Sequence, residues 1–202
     1  MKPKLLSPKR NTRRMRGFSL LEILVVVAVI LIVTGITVPV VNRSVMTYRL
    51  TDAATQVTSN IKMARFEAIR TDALVTWQIK QAANTTTMFV DTDRNGTFSP
   101  KVKAVIFNSN INVVPVGTVP NTGGLGGAMG LAAAPTAVNP AAAAITFDAR
   151  GAVTGVPTAY AVYVSDSPNG GATANYRAVI LLPSGLTQVW LAASDGAWRQ
   201  LN

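Results

Sequence analysis

Glu22 is a single carboxylate at the fifth position of a long apolar segment that begins at Phe18. A charged side chain at the centre of a membrane helix costs on the order of 2.5 kcal/mol or more, and such residues mark functional sites by default. Its chemistry is electrostatic: it can meet a cation where little else is polar. Two further groups invite a chemical reading. Asp91-Thr92-Asp93-Arg94-Asn95-Gly96 opens with the donor spacing of an EF-hand calcium loop. The closing glutamate would fall at the twelfth position, which is Val102, so the full motif fails. A polar turn using Asn-Gly chemistry is the other reading of Asp91, Asp93 and Asn95. Trp198-Arg199 sets one aromatic beside one cation, a weak signal for single-stranded nucleic acid. A tryptophan packing inside the last strand is the alternative there.

Composition removes most catalytic chemistry. The 202 residues include no cysteine and no histidine, so thiol catalysis, Cys/His zinc sites and any Ser-His-Asp triad are excluded. No P-loop is present, and the nine acidic residues form no recognisable acid–base pair. No cofactor is expected, and the chain does not read as an enzyme.

The formal charge of +10 is unevenly placed. Seven of the 19 basic residues, Lys2, Lys4, Lys9, Arg10, Arg13, Arg14 and Arg16, precede Gly17, with no Asp or Glu among them. The remaining 12 basic residues face nine acids, leaving +3. Most of the basicity therefore reads as a topogenic address that holds the leader in the cytoplasm.

The elements that must position these residues follow from periodicity. Residues 18–41 span about 36 Å as a helix, enough for a hydrocarbon core of about 30 Å. Pro39 lies inside this segment, where a kink or a locally melted turn is expected. Met46, Leu50, Ala53, Val57, Ile61, Ala64 and Ala68 recur at helical spacing, so residues 42–72 read as an amphipathic continuation packed on a sheet. Residues 73–202 read as a strand-rich head. Candidate strands are 75–80, 86–90, 103–107, 111–116, 145–148, 159–164, 176–182, 187–192 and 197–201. Residues 177–182 are apolar on both faces apart from Arg177 and read as a central strand. Residues 115–144, rich in Gly, Ala, Pro and Asn, read as a long insertion or loop within the head.

Gly17-Phe18-Ser19-Leu20-Leu21-Glu22, after an acid-free basic leader and before an apolar run, resembles the signal of type IV pilins and type II secretion pseudopilins. The 91–96 segment, Ile145-Thr146-Phe147-Asp148-Ala149-Arg150-Gly151 and the 177–188 hairpin are similar to the general secretion pathway protein H / FimT group. The resemblance implies an α+β, pilin-like fold, a long N-terminal helix packed on an antiparallel sheet. It implies cleavage between Gly17 and Phe18 by a prepilin peptidase, which also methylates Phe18. The leader 1–17 would be removed. It implies that Glu22 meets the N-terminal amine of a neighbouring subunit and that Pro39 loosens the helix. The partners implied are other pilins or pseudopilins, the peptidase/methyltransferase, an inner-membrane assembly platform and membrane lipid. The chain would sit in the inner membrane by one pass, head in the periplasm, as a minor pseudopilin of type II secretion. A FimT-like minor type IV pilin is the alternative, in pilus assembly or DNA uptake. The hairpin 184–190 lacks arginine, so DNA is not the expected partner.

Overall fold

The computed structural model describes residues 18–82, 85–98, 104–107, 111–119, 122–155, 158–167, 175–192 and 197–201. Gly17, the leader, Val102 and the first residue of the 103–107 strand lie outside them. The chain divides into two units, Met1–Arg43 and Ser44–Asn202.

Helix α1 runs Leu20–Thr71, 52 residues without a break. Its first backbone bond is Ile23 N–H to the Ser19 carbonyl at 3.2 Å, which makes Ser19 the N-cap. Glu22 then stands in the first turn at the third helical position, the spacing of a capping box, where a carboxylate opposes the positive end of the helix dipole. At the other end Asp72 takes a left-handed conformation (φ 48°), and the Ala73 amide returns to the Ala68 carbonyl at 3.2 Å. That six-to-one bond is a Schellman termination.

In the second unit α1 buries Leu50, Ala53, Ala54, Val57, Asn60, Ile61, Ala64 and Ala68. Alanine at four of these eight positions lets the backbone come close to what it packs on. Asn60 interrupts the apolar stripe because its Oδ1 accepts the Trp77 indole N–H at 2.8 Å, wholly inside the core. Left unpaired, such an N–H would cost about 1–3 kcal/mol.

The head has two sheets rather than one. The four-stranded sheet has the order β3-β2-β1-β6: β1 Val75–Ala82, β2 Thr85–Asp91, β3 Ala104–Phe107 and β6 Ala142–Phe147. The other has the order β10-β9-β8-β7-β4: β4 Asn112–Val114, β7 Tyr160–Ser165, β8 Tyr176–Leu181, β9 Thr187–Ala192 and β10 Trp198–Leu201. A two-residue strand β5, Thr136–Ala137, adds to β7 in parallel; every other described pairing is antiparallel. The long helix and antiparallel head agree with the α+β, pilin-like expectation.

One core joins α1 to both sheets through Trp77, Ile79, Met88, Phe107, Phe147, Val162, Val164, Val179 and Leu181. Strand β8 is buried along its whole length because its alternate residues serve two cores. Val179 and Leu181 face α1, while Tyr176, Ala178 and Ile180 join Tyr163, Trp190 and Trp198 on the opposite face. This is why 177–182 carries no polar alternation.

Residues 115–144 differ from the loop expected of them. They hold a 3-10 turn (Val116–Thr118), a short helix α2 (Thr122–Ala128), β5 and the start of β6. Val119 and Leu125 are buried in the second core, and Val138 in the first. Low-propensity composition hid the element because its order comes from the sheet it covers.

Candidate functional site

The site is the N-terminal part of α1. From Phe18 to Val45 its large apolar side chains are exposed on every side, from 78% at Phe18 and 83% at Leu20 to 41% at Val45. An 18-residue window reaches a mean hydropathy of 3.0 with none of it buried, so the helix is long and apolar enough to cross a membrane. A cylinder of this kind, apolar all round, needs lipid or other helices to cover it. Two of its hydroxyls are satisfied internally: Thr34 Oγ1 donates to the Ile30 carbonyl at 2.7 Å, and Thr37 Oγ1 to the Val33 carbonyl at 2.8 Å. The helix continues through Pro39. Proline has no amide hydrogen to give the Gly35 carbonyl four residues back, and its ring crowds that carbonyl. Glu22 is exposed near the start of the cylinder and is its one carboxylate.

Residues 12–38 match the family model of the prokaryotic N-terminal methylation motif. The chain carries a type IV pilin-like signal. The matched stretch takes in Gly17, Phe18 and Glu22 and stops one residue before Pro39. A motif of this kind implies processing by a prepilin peptidase and assembly with other pilins. The apolar helix fits membrane anchoring of such a chain. No curated protein and no solved structure matches the chain.

The other candidates are placed by the head. Asp91 is buried at the end of β2. Its Oδ2 accepts from Gln78 Nε2 at 2.6 Å and from the Gly96 amide at 2.8 Å. Asn95 Oδ1 accepts from the Thr97 amide at 2.8 Å and the Thr97 hydroxyl at 2.6 Å. Arg94 and Gly96 have positive φ, 53° and 72°, and Lys80 Nζ donates to the Gly96 carbonyl. These oxygens fold the loop that leaves β2; a polar turn accounts for each of them. Asp93 stays exposed, and among the described residues no group of three or more His, Cys, Asp or Glu gathers. Calorimetry with millimolar calcium is therefore expected to give no heat beyond dilution. A saturable heat that Asp91→Asn abolishes would restore the metal reading.

Trp198 is 6% exposed and packs on Tyr163, ring centroids 6.0 Å apart. An indole so covered gives a base no face to stack on, and Arg199 stands beside it in β10 without that platform. Burial also pushes the Tyr163 phenol up to about 12, keeping it neutral.

Two features escaped the sequence. Arg177, the second residue of β8, is 3% exposed. Its Nη1 donates to the Tyr176 carbonyl at 3.0 Å and its Nη2 reaches Thr51 Oγ1 at 3.5 Å, while Nε has no partner. Burial lowers its pKa, and the Asp166 charge opposes that shift. The second feature is a clasp where three elements meet. Arg65 of α1 donates Nε–H to the Gly151 carbonyl at 3.1 Å. Gly151 (φ 77°) belongs to the turn after β6, and Gly185 (φ 78°) to the turn between β8 and β9. The Val153 amide bonds the Pro183 carbonyl at 2.9 Å, tying one turn to the other. Two of the three head segments on which the sequence resemblance was drawn, 145–151 and 177–188, meet at this clasp. A positive-φ glycine is visible as a turn in sequence, but its neighbours across the fold are not.

Proposed function

We propose that the chain is a minor pseudopilin of a type II secretion system. It is made as a precursor, cut between Gly17 and Phe18, methylated on Phe18, and drawn from the inner membrane into a periplasmic filament. The methylation motif at 12–38, in register with the exposed apolar helix, carries this reading. Residues 18–41 form the filament core and the head supplies surface contacts with other pseudopilins. Pro39 is the point at which the helix loosens when packed. Energy comes from a separate ATPase on the cytoplasmic side of the assembly platform.

Glu22 is the assembly residue. In an apolar bundle both a carboxylate and a free α-amine are costly, and pairing them offsets the desolvation. Glu22→Ala should be cleaved and methylated normally, yet enter filaments at least about tenfold less, as expected when one partner of a buried pair is removed. Co-purification with tagged neighbouring pseudopilins measures this, and wild-type incorporation would remove the assignment.

Deleting the gene tests the system. Exported hydrolases should vanish from the culture supernatant and accumulate in the periplasm. An unchanged supernatant with reduced piliation or transformation would instead favour a FimT-like minor pilin.

A further inference from the structure

The hydrogen bonds that fold the loop after β2 also place a base and an oxyanion site around one pair of residues. Asn95 and Gly96 are adjacent in the chain. The side-chain Cγ of an asparagine is an electrophile, and the backbone nitrogen of the next residue is a nucleophile. Joining the two closes a five-membered ring, so the chain itself supplies their proximity. Gly96 has no side chain to crowd the approach. Two barriers remain. A backbone amide gives up its proton reluctantly, and a carboxamide carbon is a poor electrophile.

The loop acts on both. The Gly96 N–H donates to Asp91 Oδ2 at 2.8 Å. Asp91 is buried, and Gln78 Nε2 holds the same oxygen at 2.6 Å. A carboxylate within hydrogen-bond reach of the proton to be removed has the placement of a general base. On the other reactant, Asn95 Oδ1 accepts from the Thr97 amide at 2.8 Å and from the Thr97 hydroxyl at 2.6 Å. Two donors on one carbonyl oxygen stabilise the negative charge that gathers there as a tetrahedral centre forms. Lys80 Nζ, donating to the Gly96 carbonyl, fixes the glycine between these partners. Asn95 is exposed, so water reaches it.

We propose that Asn95-Gly96 is a self-modification site, at which Asp91 and Thr97 promote closure to a succinimide. The Asp91 carboxylate takes the Gly96 amide proton while the nitrogen attacks Asn95 Cγ, and the new N–Cγ bond forms. The Cγ–Nδ2 bond then breaks, and Nδ2 leaves as ammonia with that proton, returned to it through water. A water molecule next opens the ring. Attack at Cγ leaves an aspartate, and attack at the backbone carbonyl leaves an isoaspartyl link. No electrons are gained or lost. Either product adds a carboxylate to a loop that already holds Asp91 and Asp93.

Timed incubation of the full chain in detergent micelles, read by peptide mass spectrometry and isoaspartyl content at Asn95, tests this. The same chain unfolded in guanidinium is the reference, because it keeps the dipeptide and loses the contacts. Native conversion should be on the order of 100-fold faster than unfolded conversion, the lower end of what a positioned base contributes. Asp91→Asn should slow the native reaction by about tenfold or more. Thr97→Val removes the hydroxyl donor from an exposed residue and keeps the amide, so it should slow the native reaction about tenfold without disturbing the fold. Both variants should leave the unfolded rate unchanged. A native chain that converts no faster than the unfolded one would overturn the proposal, since the same bonds would then only hold the turn. So would equal native rates for the wild type and Thr97→Val.

Discussion

Gly185→Ala should destabilise the head by about 3 kcal/mol, roughly 6–12 °C in melting temperature for a chain of this size. Two costs combine. Gly185 has φ +78°, a backbone state that L side chains adopt at a penalty of about 1–3 kcal/mol. A Cβ at that position would also lie 2.0 Å from the Gly151 carbonyl oxygen and 2.9 Å from Arg65 Nε. The first neighbour is backbone and cannot swing aside, so the two turns must separate. Separation strains the Arg65 bond to Gly151 and the Val153–Pro183 bond together. Gly155→Ala is the internal control, since Gly155 has φ +86° and a Cβ added there would meet nothing within 4 Å. It carries the conformational penalty without the clash. Near-UV circular dichroism during thermal unfolding reads the head's buried aromatic residues and not the apolar helix. If Gly185→Ala melts no lower than Gly155→Ala, the close approach of the two turns is not what holds this corner.

Gly17→Val should leave the chain as an uncut precursor, with processing reduced on the order of 100-fold or more. A peptidase cleft must take the scissile backbone at close range, which glycine permits and a β-branched side chain obstructs. Misplacement of a reacting group by about 1 Å can cost about 100-fold in rate. Intact mass of the membrane-extracted protein separates the outcomes. The expected product retains the basic leader and carries no methyl group on Phe18. Normal cleavage of Gly17→Val would place the processing site elsewhere and would undo the filament reading with it. The pair of variants also divides the roles: Gly17→Val stops the chain before cleavage, Glu22→Ala after it.

Much of this protein is local and therefore legible from its residues in order. The basic leader, the Gly17-Phe18 junction, Glu22 and the apolar run are contiguous, and their meaning depends on neighbours in the chain. The amphipathic stripe from Leu50 to Ala68 and the alternation in β1 are also local, because period 3.6 or 2 is set by backbone geometry. What only the tertiary structure decided depends on residues far apart in sequence. Asn60 belongs in an apolar stripe only because Trp77 brings it an N–H. Residues 122–131 have the composition of a loop, and they take structure because a sheet face with four aromatic residues lies beneath them. The calcium-like spacing of Asp91, Asp93 and Asn95 is a pattern in one dimension; Gln78 on the adjacent strand and the Gly96 amide decide that Asp91 turns inward. Gly151 and Gly185 lie 34 residues apart in the sequence, yet a Cβ on Gly185 would meet the Gly151 carbonyl, and one on Gly151 would meet Ile69 and Arg65 of α1. Side-chain type and spacing set the chemistry available to the chain, while contact across the fold selects which of it is used.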